Sequence, residues 1–207
     1  MLPESIASLP VEQVSRHPRF RPLAALTKVQ TDLRYASTRN FAGRILYQGY
    51  DCAWLRAEAF AGLELAAGWL AEQAPGWALR VLDALRPQRV QEAIWREVAG
   101  TPAALYFADP VRGSIHSFGM AVDVTLADAQ GREADMGSAF DEMSLLSHPV
   151  LHARHLANGE LSTAQVENRE LLARAMAAGG FLGIDTEWWH FDHGDRDEVR
   201  RRFPRVE

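Results

Sequence analysis

The stretch Met120-Ala121-Val122-Asp123-Val124-Thr125-Leu126 alternates along its length, with Met120, Val122, Val124 and Leu126 on one face of an extended chain and Ala121, Asp123 and Thr125 on the other. It predicts a β-strand with one strongly apolar face. Upstream, residues 77–83 are short, apolar-rich and bounded by Gly76 and Pro87, which predicts a second strand. Residues 88–99 place Val90, Ile94 and Val98 four apart and end at Gly100, the pattern of an amphipathic helix. Residues 52–74 carry Leu55, Phe60, Leu63, Ala67 and Leu70 near the helical period, with Pro75 and Gly76 as the stop. Downstream, residues 128–135 read as a polar turn and 167–178 as a helix ended by Gly179 and Gly180. The aromatic-rich residues 187–191 read as a further core strand. Helices interleaved with few, unevenly spaced strands give the fold class α+β.

No fixed-period repeat, low-complexity run or linker-like stretch interrupts the chain, so the 207 residues read as a single domain. Residues 1–30 are taken as an N-terminal extension and 194–207 as a charged C-terminal tail. Hydrophobic residues make 47% and charged residues 24%, the proportions of a globular protein. With 22 basic against 27 acidic residues the formal charge is −5, which argues against a nucleic-acid partner, because phosphate neutralisation needs a basic surface. Arg200, Arg201 and Arg202 are offset by Asp192, Asp195, Asp197 and Glu198 just before them. The longest nearly apolar stretch, 65–71, falls far short of the roughly 20 residues of a membrane span. Residues 1–10, with Glu4 and two prolines, do not read as a secretory signal, and Cys52 has no cysteine partner within the chain. The expected location is the cytoplasm.

Asp123 is an acid on a strand whose opposite face is apolar, so it is either solvated or held at a site. His116 lies seven residues earlier, an odd spacing that a straight strand would turn to the other face, and Gly119 offers the break that lets the two converge. Imidazole and carboxylate are ordinary ligands for zinc, and a catalytic zinc site takes three protein ligands with one position open. In Glu187-Trp188-Trp189-His190 a carboxylate and an imidazole stand three apart among tryptophans that exclude water, conditions that raise a carboxylate toward the range of a general base. His190 is expected to complete the zinc shell, leaving Glu187 to take a proton from the attacking water. Each piece alone has a plain alternative: a satisfied core histidine, or aromatic packing.

Together they carry a family likeness. Ser114-Ile115-His116-Ser117-Phe118-Gly119-Met120-Ala121-Val122-Asp123 resembles the S-x-H-x-x-G-x-A-x-D motif of the zinc D-alanyl-D-alanine dipeptidases and carboxypeptidases, and Glu187-Trp188-Trp189-His190 resembles their E-x-W-H motif. Asp32-Leu33-Arg34-Tyr35-Ala36 with Asn40, Phe41 and Gly43, and Asp83-Ala84-Leu85-Arg86-Pro87, resemble elements of the dipeptidase branch. The likeness runs from about residue 30 to 193. It implies one zinc per chain on His116, Asp123 and His190, Glu187 as the base, and Arg86 as the cation that stabilises the tetrahedral intermediate. It also implies the fold that these peptidases share with hedgehog signalling domains, a small, mostly antiparallel sheet flanked by helices. Arg86 has a plainer reading as a surface charge ahead of a helix-starting Pro87.

The expected partner is a small dipeptide. Ser114 and Tyr35 are candidates for its pocket, and Asp141, in a segment resembling a dipeptidase motif, is the candidate for its ammonium; a carboxylate at a helix start is the alternative for Asp141. The expected activity is zinc-dependent hydrolysis of D-alanyl-D-alanine. One rival is a zinc D,D- or L,D-carboxypeptidase or endopeptidase acting on peptidoglycan stem peptides, and another is a non-catalytic zinc-bearing interaction domain. The latter has no need of Glu187 or Arg86. His148, His152 and His155 stand at helical spacing, but Pro149 marks a helix start directly after His148, which weighs against a second metal face. His193, three residues beyond His190, is a neighbour at odd spacing.

Overall fold

Burial of the alternating strand organises the molecule. A computed structural model describes residues 8–207, so the first seven residues, part of the segment weighed above as a possible signal, lie outside the described residues. Within it the elements run β1 (Phe20–Pro22), β2 (Val29–Thr31), β3 (Trp54–Arg56), α1 (Ala57–Gln73), β4 (Trp77–Asp83), α2 (Gln88–Val98), β5 (Ala121–Asp128), α3 (His152–Ala157), α4 (Thr163–Ala178), β6 (Phe181–Gly183), β7 (His190–His193) and α5 (Arg196–Arg202), with short 3₁₀ turns between them. The architecture is α+β. β1 and β3 pair as a small antiparallel ribbon, and the main sheet has the order β2-β4-β5-β7-β6. Only the β2–β4 edge is parallel; β5 runs antiparallel to both its neighbours.

Helices α1 and α4 bury this sheet. Leu63 and Leu70 of α1 and Leu172 and Met176 of α4 share one core with Leu79 and Val81 of β4, Val122, Val124 and Leu126 of β5, and Phe191 of β7. Each such side chain contributes about 1.5–3 kcal/mol when fully buried. The polar face of β5 is buried as well, with Asp123 2% and Thr125 1% exposed. Register then fixes the chemistry: Asp123 is opposite Asp83 on β4 and opposite His190 on β7, so three polar residues stand in a row across three adjacent strands. A shift in pairing between Val81 and Asp83 marks a bulge at the end of β4, beside that row.

Several boundaries differ from the sequence reading, each for a physical reason. Trp54–Arg56, expected as the start of the first helix, is extended because it pairs with Phe20–Pro22, and α1 begins only at Ala57. α4 starts four residues earlier than expected: Ser162 accepts a hydrogen bond from the Gln165 amide while the Gln165 side chain accepts from the Ser162 amide, a capping box. The last core strand begins at His190, with Glu187, Trp188 and Trp189 in the approach to it. The C-terminal segment is not a solvated tail. Asp195 caps α5, Phe203 and Val206 are buried, and Val206 bridges Leu9 in parallel. Leu9, Val11 and Val14 are buried in the same small cluster, so the described part of the N-terminal extension is packed structure too.

α1 and the end of α4 touch through glycines. A Cβ on Gly62 would lie 2.5 Å from the Gly179 carbonyl oxygen and 2.7 Å from the His193 ring, whereas one on Gly68, further along α1, would meet nothing within 4 Å. The two glycines should therefore respond to alanine with opposite signs. Gly62→Ala is expected to lower unfolding free energy by about 1–3 kcal/mol through overpacking, and Gly68→Ala to raise it by about 0.5–1 kcal/mol through helix propensity. Urea denaturation of both variants checks this; equal shifts would contradict the close helix contact.

Candidate metal centre

His116 reaches the row of polar residues from a 3₁₀ turn, Ile115–Phe118, which closes on Gly119 in the left-handed conformation at φ 67° and ψ 27°. A side chain at Gly119 would press on the Phe20 ring and the Arg56 backbone, so glycine is needed there for conformation and for space. The break expected at Gly119, a bulge or a turn, takes the form of a turn. His190 Nδ1 lies 2.9 Å from Asp123 Oδ1, His116 Nε2 lies 3.3 Å from the same oxygen, and the two imidazole nitrogens are 3.1 Å apart. Donor atoms on a tetrahedron with 2.0–2.1 Å bonds are about 3.4 Å apart, so the three are close to that spacing. Among the described residues this is the one group of three or more His, Cys, Asp or Glu residues able to hold a metal ion.

The outer hydrogen bonds say what the inner atoms are. His116 Nδ1 donates to the Ala84 carbonyl at 2.7 Å, and His190 Nε2 donates to Asp192 Oδ1 at 2.9 Å. Each ring has spent its N–H outward, which leaves both inward nitrogens as lone pairs facing each other and a carboxylate. Two ring nitrogens and a carboxylate oxygen converging on one point suit a cation, and two imidazoles with one carboxylate suit zinc. Burial opposes protonation of His190, but Asp192 and Asp123 outweigh it and raise its pKa well above that of an ordinary imidazole. Burial would push Asp123 up, and the two histidines hold it far below the usual carboxylate range. Asp192, likewise buried, is held down to about 2 by His190 and then Arg196.

Glu187 is 8% exposed, and burial pushes its carboxyl up to about 7, with His190 pulling against the shift and Asp123 adding to it. Arg86 is buried beside the metal group and held on every side. Its Nε and Nη2 donate to Asp83 Oδ2 at 3.0 and 2.7 Å, its Nη1 donates to Gln91 Oε1 at 3.1 Å, and its guanidinium lies 4.8 Å from the Tyr35 ring centre. Nη2 also stands 3.5 Å from Asp123 Oδ2. Asp83 is fixed in turn by the Tyr47 hydroxyl and by the Ala84 amide at 2.9 Å. Despite the burial, Tyr35 and these acids keep Arg86 charged.

A cleft of about 450 Å³ opens over these groups, lined by Arg86, His116, Glu187 and His190 and walled by Ser114, Leu105, Phe107 and Ile184. Ser114 is therefore beside the metal group. Tyr35 is wholly buried beneath Arg86 and supports it, while its hydroxyl is 3.4 Å from Asp141 Oδ1. Asp141 is half-buried at φ 61° and accepts the Phe41 amide at 3.3 Å. Burial raises its pKa well above the usual range, and Asp123 adds to the rise.

The other histidines are engaged elsewhere. His148 Nε2 is 3.0 Å from the Tyr106 hydroxyl, His152 is 3.1 Å from Arg169 Nη1, and His155 is 2.6 Å from Glu160. His193 packs edge-on against Phe181. Asp192 and Gln91 escaped the sequence reading. Asp192 was visible in principle, since two residues along a strand return to the same face as His190. Gln91 was not, because only the fold brings α2 to Arg86.

A family model described as D-ala-D-ala dipeptidase matches residues 19–207. A D-alanyl-D-alanine dipeptidase of Escherichia coli (strain K12) is 38% identical over 164 residues, 79% of this chain and 78% of its own length. One from Synechocystis is 31% identical over 72% of this chain and 73% of its own, and one from Enterococcus faecalis 28% over 79% and 85%.

From the geometry, the chain should take up one divalent ion, and His116→Ala and His190→Ala should each abolish that uptake. Equilibrium dialysis with zinc followed by elemental analysis measures it. Stoichiometric zinc in both variants, or zinc that follows substitution of His148, His152 and His155, would overturn the assignment.

Proposed function

The chain belongs to the D-Ala-D-Ala dipeptidase family of metallopeptidases, and from that premise we propose that it hydrolyses the free dipeptide D-alanyl-D-alanine with zinc held by His116, Asp123 and His190. The observation that carries the reading is the convergence of three lone-pair donors beside a buried carboxylate at Glu187 and a fixed guanidinium at Arg86. His116, Asp123 and His190 would hold the zinc, which would supply a Lewis acid able to polarise the scissile carbonyl and lower the pKa of a water. Glu187, raised toward neutrality by burial, takes the proton of the attacking water as its oxygen bonds to the carbonyl carbon. It returns that proton to the amine nitrogen as the carbon–nitrogen bond breaks, and two D-alanines leave. Arg86 is fixed by Asp83 and Gln91, so its charge is in place before the oxyanion develops and needs no reorganisation, the condition under which one such contact is worth about 3–4 kcal/mol.

Both ends of a dipeptide are charged, and both must be met by groups of the site. Asp141 is the acid we assign to the ammonium; Ser114, two residues before a zinc ligand, is the hydroxyl we assign to substrate contact. Tyr35 serves by orienting Arg86 and Asp141. The Phe107 ring, which lines the cleft, packs against Phe41 with centroids 4.8 Å apart. We place the enzyme in the cytoplasm, where a single buried thiol such as Cys52 stays reduced, acting on dipeptide derived from cell-wall metabolism. Glu187 and Arg86 have no use in a non-catalytic zinc module.

Glu187→Ala should keep its zinc and lose at least about a hundredfold in kcat, the low end for removing a general base. Wild-type turnover in the zinc-replete variant would remove Glu187 from the mechanism. Substrate size is the sharper test. Because a buried charge left without its partner is expensive, N-acetyl-D-alanyl-D-alanine and stem peptides ending in that pair should be cleaved at least roughly a hundredfold more slowly than the free dipeptide. Asp141→Ala should narrow the gap by weakening the free dipeptide. A panel of stereodefined dipeptides with one stem peptide decides the matter; equal kcat/KM for blocked and free substrates would make this a carboxypeptidase.

A further inference from the structure

The two imidazoles of the centre are backed differently. His116 gives its outer N–H to a neutral carbonyl, that of Ala84, whereas His190 gives its outer N–H to the carboxylate of Asp192 at 2.9 Å. Asp192 follows His190 by two residues in β7, so the strand turns both side chains to one face. It is 3% exposed, a burial that an isolated carboxylate resists. Its second oxygen accepts Arg196 Nε at 2.5 Å, and Arg196, 44% exposed at the side chain, opens α5. A relay of contacts thus runs from the surface through Arg196 and Asp192 to the ring of His190.

We propose that Asp192 is a positioning residue that fixes the tautomer and ring orientation of His190 and thereby sets the protein's affinity for its metal. An imidazole can present either nitrogen and can swing about its χ2 axis. A carboxylate on Nε2 ends both freedoms: it keeps the proton on the outer nitrogen, leaves the lone pair at Nδ1, and adds electron density to the donor. Arg196 holds Asp192 without touching His190, so its part is to anchor the carboxylate. The competing account is an ion pair that merely ties α5 to β7, in which the contact with His190 is incidental. The two accounts differ in how the partners of the ion pair should behave when removed singly.

The inference rests on the three-residue metal centre described above, and its test separates the two. Zinc affinity is measured for the full chain by competition with a chromogenic chelator, with circular dichroism as the check on folding. Asp192→Ala should weaken zinc binding 10- to 100-fold. Asp192→Asn, which keeps an acceptor oxygen and loses the charge, should fall between that value and the wild type. Arg196→Ala, which breaks the same ion pair but leaves the acceptor, should change affinity by less than about threefold, well below the range for loss of the acceptor. Equal losses in Asp192→Ala and Arg196→Ala would overturn the proposal in favour of the simple tie, as would affinity within twofold of wild type in both Asp192 variants. If the alanine variant does not fold, the asparagine variant decides alone, an unchanged affinity overturning the proposal. A wild-type chain that takes up no zinc would instead sink the metal centre itself, and the proposal with it.

Discussion

The pairing of β5 with β4 on one side and β7 on the other is the constraint from which everything else follows. Antiparallel register is all-or-none in its effect on side chains, since a slip by one residue turns every side chain to the other face. Here it lines up Asp83, Asp123 and His190 across three strands. Slipping β7 by one would set Phe191 where His190 stands and turn Asp192 into the apolar core. The register is held from the apolar side, where Val122 and Phe191 are cross-strand partners in the same core as Leu63 and Leu172. The hydrophobic interior and the chemistry are thus set by one decision, made in opposite directions on the two faces of the sheet.

The second feature of the molecule is how it keeps so many charges out of water. Asp83, Arg86, Asp123, Glu187 and Asp192 are all buried. Charges can be sheltered only when paired and hydrogen-bonded, and most of these are. Arg86 neutralises Asp83 and approaches Asp123, Tyr47 and the Ala84 amide complete the shell of Asp83, and Arg196 reaches in to Asp192. Glu187 stands apart, with burial but without a cationic partner of its own, and it is the carboxyl whose proton affinity rises into the neutral range. Environment sets two carboxyl groups apart: Asp123 is held anionic, and Glu187 has its proton affinity raised.

Much of this was legible in the sequence where the signal is local. The alternation from Met120 to Leu126 and the short apolar run before Pro87 each gave a strand, and the spacing of Val90, Ile94 and Val98 gave α2 to within a residue. His116, Asp123 and His190 could be singled out because an acid on an apolar strand and a carboxylate three residues from a histidine ask for a reason. The failures are of two kinds. Some came from pairing at a distance: Trp54–Arg56 has good helical neighbours but a strand partner some thirty residues away, at Phe20–Pro22. Others came from composition masking packing, as at the C-terminus, where runs of arginine and acid hide the buried Val199, Phe203 and Val206. The support of Arg86 by Gln91 belongs to the first kind, because no spacing in one dimension announces that a helix will turn a glutamine toward a strand end.

The bridge between Leu9 and Val206 closes nearly the whole chain into a ring, and it sits beside the turn that carries His116. The Val206 amide donates to the Ser117 carbonyl at 2.8 Å, next to His116, and the Val206 carbonyl accepts the Gln88 amide at 2.7 Å. Closing a loop that long carries the largest entropic cost of any contact in the fold, although the cost grows only logarithmically with length. Such a contact is least costly once the local helices and the β4–β5 ladder have shortened the effective loop. The turn bearing His116 is fastened by a seam between residues nearly a whole chain apart. The placing of His116 therefore depends on the two ends of the described chain being joined.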